Sequence, residues 1–78
     1  MRARKNELGD KNIIGEKVTK IRISKGISQK EFIAKLQVND ADINPSSVSK
    51  IEGQTRQVND KEIKAIAASL EVSILDLF

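Results

Sequence analysis

SQKEFIAKLQVNDADINPSSVSKIE, residues 28–52, contains the two signals that decide the fold of this chain. Ser28 and Glu31 stand three residues apart, which is the spacing of a capping box, where each side chain bonds an amide at the helix start. Asn44 before Pro45 marks a second helix start, because Asn accepts hydrogen bonds from free amides and Pro suits the first helical position. The stretch therefore predicts two short helices joined by a polar turn, at about 29–37 and 45–53.

Apolar residues at helical spacing predict further helices on both sides of this stretch. Upstream, Ile14, Val18 and Ile21 recur at i, i+4 and i+7, and Gly26 is placed to end that helix. Downstream, a cap pair precedes an amphipathic stripe that ends near Leu70, and a last capped turn follows. No long segment alternates apolar and polar residues, so the fold class predicted is all-α, with five short helices. The cap pair is Asn59 with Glu62, and Ser73 caps the last turn.

Length and composition exclude several classes of protein. The chain has 78 residues, which suits one domain with a small core, and it has no Cys, His, Trp or Tyr. Disulfides, Cys/His metal sites and the commonest catalytic acid, base and thiol are therefore not expected, and neither is a cofactor or enzyme activity. No apolar run reaches the roughly 20 residues of a membrane span, and the start lacks the apolar stretch of a secretory signal. These features predict a cytoplasmic protein without a membrane partner.

Charge is distributed unevenly along the chain, although the formal net charge is only +3. Residues 1–35 carry ten Lys/Arg and four Asp/Glu, whereas residues 36–78 carry four Lys/Arg and seven Asp/Glu. A basic front suits a protein that places one face on a polyanion. A solvated surface that only keeps a small domain soluble explains the charges equally well.

Three segments together resemble the Xre/Cro-type helix-turn-helix DNA-binding domains of phage repressors and bacterial regulators. They are residues 14–36, 46–52 and 63–78, so the resemblance covers nearly everything after the first 12 residues. It implies a compact five-helix, repressor-like domain at 13–78, preceded by a flexible basic arm at 1–12. It also implies a sequence-specific transcriptional regulator, expected to be a repressor, that binds a palindromic operator on double-stranded DNA as a homodimer with its third helix in the major groove.

The resemblance also assigns candidate site residues by position. Gln29, at the start of helix two, is expected to hold a phosphate and to support the recognition helix. Arg22 is expected to pair with Glu52 and tie helix one to helix three, which is a structural role. Arg56 either holds a phosphate or sits in a polar loop. The outward residues of helix three are the expected base or phosphate contacts, namely Ser46, Ser47, Ser49 and Lys50.

Two further candidate surfaces lie near the chain ends. In the arm, Arg2, Arg4 and Lys5 are cations that can enter a minor groove, as basic N-terminal arms do. At the other end, Leu75 lies roughly 100 degrees from the apolar side of the last turn, so it is expected to be exposed in a monomer. Leu75 with Phe78 is therefore the candidate dimer contact, although a single exposed leucine needs no special explanation.

The chain departs from the usual family pattern between helices two and three. Residues 38–44 join the two helices, whereas a standard turn needs about three or four residues. Ile33 stands where a small Ala is usual, and both changes imply helices that are set apart or rotated relative to the usual pair. Asp40 and Asp42 would be repelled by phosphate, so this turn points away from DNA or meets a protein partner. The alternative function is therefore a protein-interaction module, such as an antitoxin or regulator antagonist with little DNA binding of its own.

Overall fold

Four α-helices and one turn of 3-10 helix make up the part of the chain that the structure describes. The structure, a computed structural model, describes residues 9–41 and 43–78, and no strand occurs among them. The predicted all-helical class is therefore confirmed, but the predicted fifth helix is wrong, because the last element is a single 3-10 turn. The elements are α1 Gly15–Ser24, α2 Gln29–Val38, α3 Pro45–Glu52, α4 Asp60–Leu70 and the 3-10 turn Ile74–Leu77.

Three of the four α-helices, α2, α3 and α4, begin where the capping signals place them. The amide of Glu31 donates to Ser28 Oγ at 3.1 Å and the amide of Ser28 donates to Glu31 Oε1 at 2.9 Å, which completes the predicted capping box of α2. Asn44 Oδ1 accepts from the amide of Ser47 at 2.8 Å at the start of α3. The same reciprocal pairing of Asn59 and Glu62 starts α4. These caps satisfy amides that have no partner inside the helix.

The helices end in left-handed residues, and only one of these four residues is glycine. Gly26, Asp40, Gln54 and Glu71 have φ values of 70°, 65°, 61° and 59°. After each, the next amide bonds a carbonyl five residues back, as when Ala41 donates to the Leu36 carbonyl at 2.9 Å. This is the Schellman arrangement, which satisfies the last carbonyls of a helix. The sequence signalled this ending only at Gly26, because glycine adopts positive φ without strain.

The core lies where the four helices and the 3-10 turn meet. Val18, Phe32, Leu36, Val48, Ile51, Ile66, Leu70 and Leu77 are among its buried members. The connection between α2 and α3, residues 39–44, also enters this core through the buried side chains of Ala41 and Ile43. Ile33 is half-buried and packs against the cluster. The sequence predicts a polar turn between α2 and α3, but two apolar residues of this turn pack into the core and anchor it there.

Residues 9–12, which the sequence analysis assigns to the arm, pack against the end of α3. The amide of Gly9 donates to the Gly53 carbonyl at 2.8 Å, and the amide of Lys11 donates to the Gln54 carbonyl at 2.9 Å. These residues therefore bond carbonyls at the end of α3, although they precede residue 13, the predicted start of the domain. The cations predicted for a minor-groove arm, Arg2, Arg4 and Lys5, lie outside the described residues.

Gly15, the first residue of α1, brings that helix against the end of α3. A Cβ atom at this position would lie 2.2 Å from the carbonyl oxygen of Ile51 and 3.0 Å from that of Glu52. Both neighbours are backbone atoms, so a side chain could be accommodated only if one helix moved. Glycine at this position therefore sets the distance between α1 and α3.

We expect Gly15→Ala to destabilise the domain by about 1–3 kcal/mol, because overpacking forces backbone shifts of this cost. Gly53→Ala is the matched control: φ is −84° there and the nearest atom is 3.3 Å from the added carbon. Urea denaturation of both variants gives the comparison. Equal stability of the two variants would contradict the close approach at Gly15.

Candidate nucleic-acid interface

The third helix has one buried face and one open face. Val48 and Ile51 are buried, whereas the residues between and before them point outward. The cap on Asn44 fixes the first turn of this open face. Among the candidate DNA contacts of α3, Ser47 is partly buried and the exposed members are Ser46, Ser49 and Lys50.

A buried carboxylate holds α3 in place. Glu52, the last residue of the helix, is 7% exposed. Arg22 Nε donates to Glu52 Oε2 at 2.8 Å, and Arg22 Nη2 donates to Oε1 at 3.2 Å. Arg22 Nη1 also donates to the Ile27 carbonyl at 2.8 Å, so the guanidinium fixes the α1–α2 connection as well. This pair is the one that the sequence resemblance assigned to a structural role.

Gln29 takes part in the same network. Its Nε2 donates to Glu52 Oε1 at 3.1 Å, which joins the first residue of α2 to the last residue of α3. The residue as a whole is exposed beside the start of α2. The predicted support of α3 and the predicted contact of Gln29 with a phosphate both remain predictions.

Arg56 is engaged by an acidic neighbour. Its Nη1 and Nη2 atoms donate to Glu62 Oε1 and Oε2 at 3.0 and 2.8 Å, and Nη1 also donates to the Gln57 carbonyl at 3.0 Å. These side-chain hydrogen bonds lower the pKa of the Glu62 carboxyl below its ordinary value. Because this bidentate pair neutralises Arg56, the guanidinium must share or leave Glu62 before it can bind a phosphate.

The described residues of the lengthened connection leave Ser46, Ser49 and Lys50 of α3 exposed. It turns away from α2 at Asp40 and is anchored by Ala41 and Ile43 in the core. Asn39 Nδ2 donates to Ser69 Oγ at 3.3 Å, which ties the connection to α4. The outward residues of α3 are therefore left accessible, as a helix that enters a DNA groove requires.

Apolar side chains are exposed around the 3-10 turn. Leu75 is 82% exposed, and Ile74 and Phe78 are also exposed, so only Leu77 of this turn enters the core. Ile13, from the segment before α1, is exposed and lines the same groove as Phe78. The predicted exposure of Leu75 is thus observed, and Ile13 and Phe78 bring exposed apolar side chains from both ends of the described chain to one groove.

Two amide side chains link residues 9–12 to the end of α3, and the sequence analysis identified neither of them. Asn12 Nδ2 donates to the carbonyls of Ile51 and Arg56 at 3.1 and 2.8 Å. Gln54 Nε2 donates to the carbonyls of Gly9 and Asn12 at 3.2 and 2.9 Å. The only signal of these contacts in the sequence is the position of Asn12, two residues before the apolar stripe of the first helix, where an Asn can cap a helix.

Comparison with known proteins gives one family and one solved structure. The model of the helix-turn-helix family matches residues 18–77. The fold is similar to the crystal structure of the restriction-modification controller protein C.AhdI from Aeromonas hydrophila, with a TM-score of 0.74. The two sequences are 25% identical, and the match covers 83% of this chain and 91% of that chain. None of the curated proteins compared matches this chain significantly.

Removal of the Glu62 charge should destabilise the domain at neutral pH and have little effect in acid. Because the pKa of Glu62 is lower in the folded chain, its ionised form contributes stability above the unfolded-state pKa of about 4.5. That contribution is lost as the pH falls through the lower folded-state pKa. We expect Glu62→Gln to cost about 0.5–1 kcal/mol at pH 7, a range appropriate to a partly exposed pair. Urea denaturation at about pH 7 and pH 3 tests this, and an equal difference from wild type at both would refute it.

Proposed function

This chain belongs to the Xre-like helix-turn-helix family, and from that membership we propose that it is a sequence-specific DNA-binding transcriptional regulator. One observation supports the proposal most directly: α3 is fixed through Glu52 while its opposite face stays open to solvent. A rigid helix with an accessible polar face is what entry into a major groove requires. The function is one of binding and not of catalysis, and we propose that it operates in the cytoplasm.

The proposed reading surface is small and polar. The hydroxyls of Ser46, Ser47 and Ser49 can bond a base or a phosphate, and Lys50 can reach guanine O6 and N7. Gln29 at the start of α2 is the proposed phosphate contact beside them. Arg56 joins this set only by exchanging or sharing Glu62, so we propose it as a secondary phosphate contact.

Dimerisation is the second part of the proposal. One α3 with few base-reading side chains supplies little affinity, and a two-fold pair doubles the contacts. The exposed apolar side chains of Leu75 and Phe78 are the proposed contact between copies. A two-fold pair would place two recognition helices about 34 Å apart and would read a palindromic operator with half-sites separated by about 10 base pairs.

Repression is the proposed mode of regulation, because a DNA-binding domain over a promoter can exclude other proteins from it. The similarity to a restriction-modification controller protein supports a regulatory role for this chain. The alternative, a protein-interaction module acting through residues 38–44, has less support. In that case the connection would be expected to cover α3, whereas it is anchored in the core beside α4.

Binding to DNA selected from a random pool should be specific and should weaken steeply with salt, because phosphate contacts release counterions. Lys50→Ala should reduce the discrimination between selected and random duplexes, whereas Gln29→Ala should weaken both alike. Lys61→Ala, which removes an exposed charge from α4, is the control. Fluorescence anisotropy measures all four proteins. Equal and very weak binding of wild type to both duplexes at low salt would refute the regulator proposal.

Leu75→Glu should prevent assembly of two copies, because it places a charge in the proposed apolar contact. Val38→Glu is the matched control, since Val38 is 83% exposed but lies at the end of α2. Sedimentation of each variant with and without selected DNA measures the assembly. A Leu75→Glu variant that pairs on DNA as well as wild type would place the contact elsewhere.

A further inference from the structure

We propose that the groove between residues 10–14 and 57–63 is a binding site for a second copy of this chain, whose Leu75 enters it beside Ile13. The inference rests on the dimer of the proposed function and deepens it, because it names the surface that receives Leu75. We call this surface the Ile13 groove, and Phe78 lines it as well.

The lining of the Ile13 groove is largely apolar and reaches the core. Ile14 is buried, and Val58 and Ile63 are half-buried side chains that pack against the core cluster. Ile13 and Phe78 complete the apolar lining and are 76% and 55% exposed. An apolar side chain that enters this groove removes apolar surface from water on both sides of the contact, which is favourable.

Exposed apolar side chains are concentrated beside this groove. Among the described residues, six large apolar side chains are exposed, and four of these belong to the groove or to the 3-10 turn that precedes Phe78. The four are Ile13, Ile74, Leu75 and Phe78. Apolar side chains gathered at one place on a small domain mark an interaction surface, whereas single exposed ones do not.

Leu75 lies on the same side of the 3-10 turn as Phe78. Residues three apart eclipse one another in a 3-10 helix. The amide of Phe78 donates to the Leu75 carbonyl at 3.2 Å, so this three-residue repeat continues to Phe78. Leu75 does not line the groove of its own chain, although its neighbour Phe78 does. The exposed Leu75 side chain is therefore available to the groove of another copy.

A second copy is the occupant that this surface suits best. The projecting Leu75 and the groove that can receive it lie side by side on one chain. That is the condition for a two-fold contact, in which each copy gives a residue to the other and receives the same residue from it.

The charges at the groove agree with self-association. Asp10 and Lys11 are exposed at its edge and carry opposite charges, so two copies of this edge can meet without net repulsion. A partner with a strong charge of one sign gains little at such an edge. The groove therefore favours a contact between copies over a strongly acidic or basic partner.

The contact between copies is small. A stable dimer buries about 800 Å² on each partner, and four apolar side chains by themselves supply less than this. We therefore expect the copies to pair weakly in solution. Pairing should be firmer where one DNA site holds both copies, because the second binding event is then intramolecular.

Cysteine cross-linking tests the contact, because the chain has no cysteine of its own. Full-length Ile13→Cys and Leu75→Cys are mixed in equal amounts, with and without the selected duplex, and oxidised. A disulfide needs Cα atoms about 4.4–6.8 Å apart, so its yield reports direct neighbours. Val38→Cys mixed with Leu75→Cys is the matched control, since Val38 is as exposed as Leu75 but lies at the end of α2. Thermal melts show that each variant is folded.

We expect the mixture of Ile13→Cys and Leu75→Cys to give at least about tenfold more mixed disulfide than the control mixture, because the contact raises the local concentration of the two thiols. The proposal is overturned if the mixed disulfide does not exceed the control. It is also overturned if Leu75→Cys alone links faster than the mixture, which would place Leu75 against Leu75 at the two-fold axis.

A pair of charges provides a second measurement. Ile13→Glu and Leu75→Lys should each weaken assembly on the selected duplex by about tenfold or more, because an unpaired charge enters an apolar contact. The double variant Ile13→Glu/Leu75→Lys should recover much of this loss, since each new carboxylate then meets a new amine of the other copy. Sedimentation measures the assembly.

The outcomes separate this inference from the function on which it rests. Unchanged assembly of Ile13→Glu, or a double variant that loses as much as both single variants together, overturns the groove contact and leaves Leu75 with Phe78 as the contact between copies. Absence of specific DNA binding by wild type would instead overturn the regulator function. The cross-link measured without DNA then decides the groove contact by itself.

Discussion

The buried carboxylate of Glu52 is the constraint on which the arrangement of the helices depends. A charge that is 7% exposed must be paired, and here it receives a bidentate guanidinium from Arg22 and an amide from Gln29. Removal of one partner from a buried pair costs on the order of 3–5 kcal/mol, because the other charge stays unpaired. Three helices meet at this one group, so their mutual geometry is set by hydrogen bonds with defined directions as well as by apolar packing.

The hydrogen bonds that hold α3 in place lie at its C-terminal end, which explains why its N-terminal end can contact a ligand. Glu52, the left-handed residue Gln54 and the donors from Asn12 all gather at the last turn. At the first turn the helix is completed by its own cap, Asn44, and needs no neighbour there. A helix held in this way can present its first turn to a ligand without giving up any contact that stabilises the domain.

Local signals predicted the helix starts well and the helix ends poorly. Capping boxes have fixed spacing, so Ser28 with Glu31 could be recognised directly. The left-handed endings at Asp40, Gln54 and Glu71 had no such signal, because non-glycine residues rarely adopt positive φ. The family resemblance supplied the pairing of Arg22 with Glu52, which spacing alone could not.

The remaining differences come from contacts between residues far apart in sequence. Ala41 and Ile43 have no helical spacing, so their burial depends on where the chain returns to the core. Residues 9–12 are polar and predict a free arm, yet their amides match the open carbonyls at the end of α3. Arg56 was expected either to bind phosphate or to lie in a polar loop, and its bond to Glu62 follows from the bend before α4.

The apolar anchoring of the α2–α3 connection makes this segment part of the cooperative folding unit. Loops that only cross a surface exchange their amide hydrogens through local opening, whereas segments anchored in the core exchange them through larger unfolding events. With Ala41 and Ile43 buried, the connection cannot open without exposing the core. Residues added to or removed from it would shift both anchors, so in this chain a change of loop length would disturb the core, whereas a substitution on the open face of α3 would not.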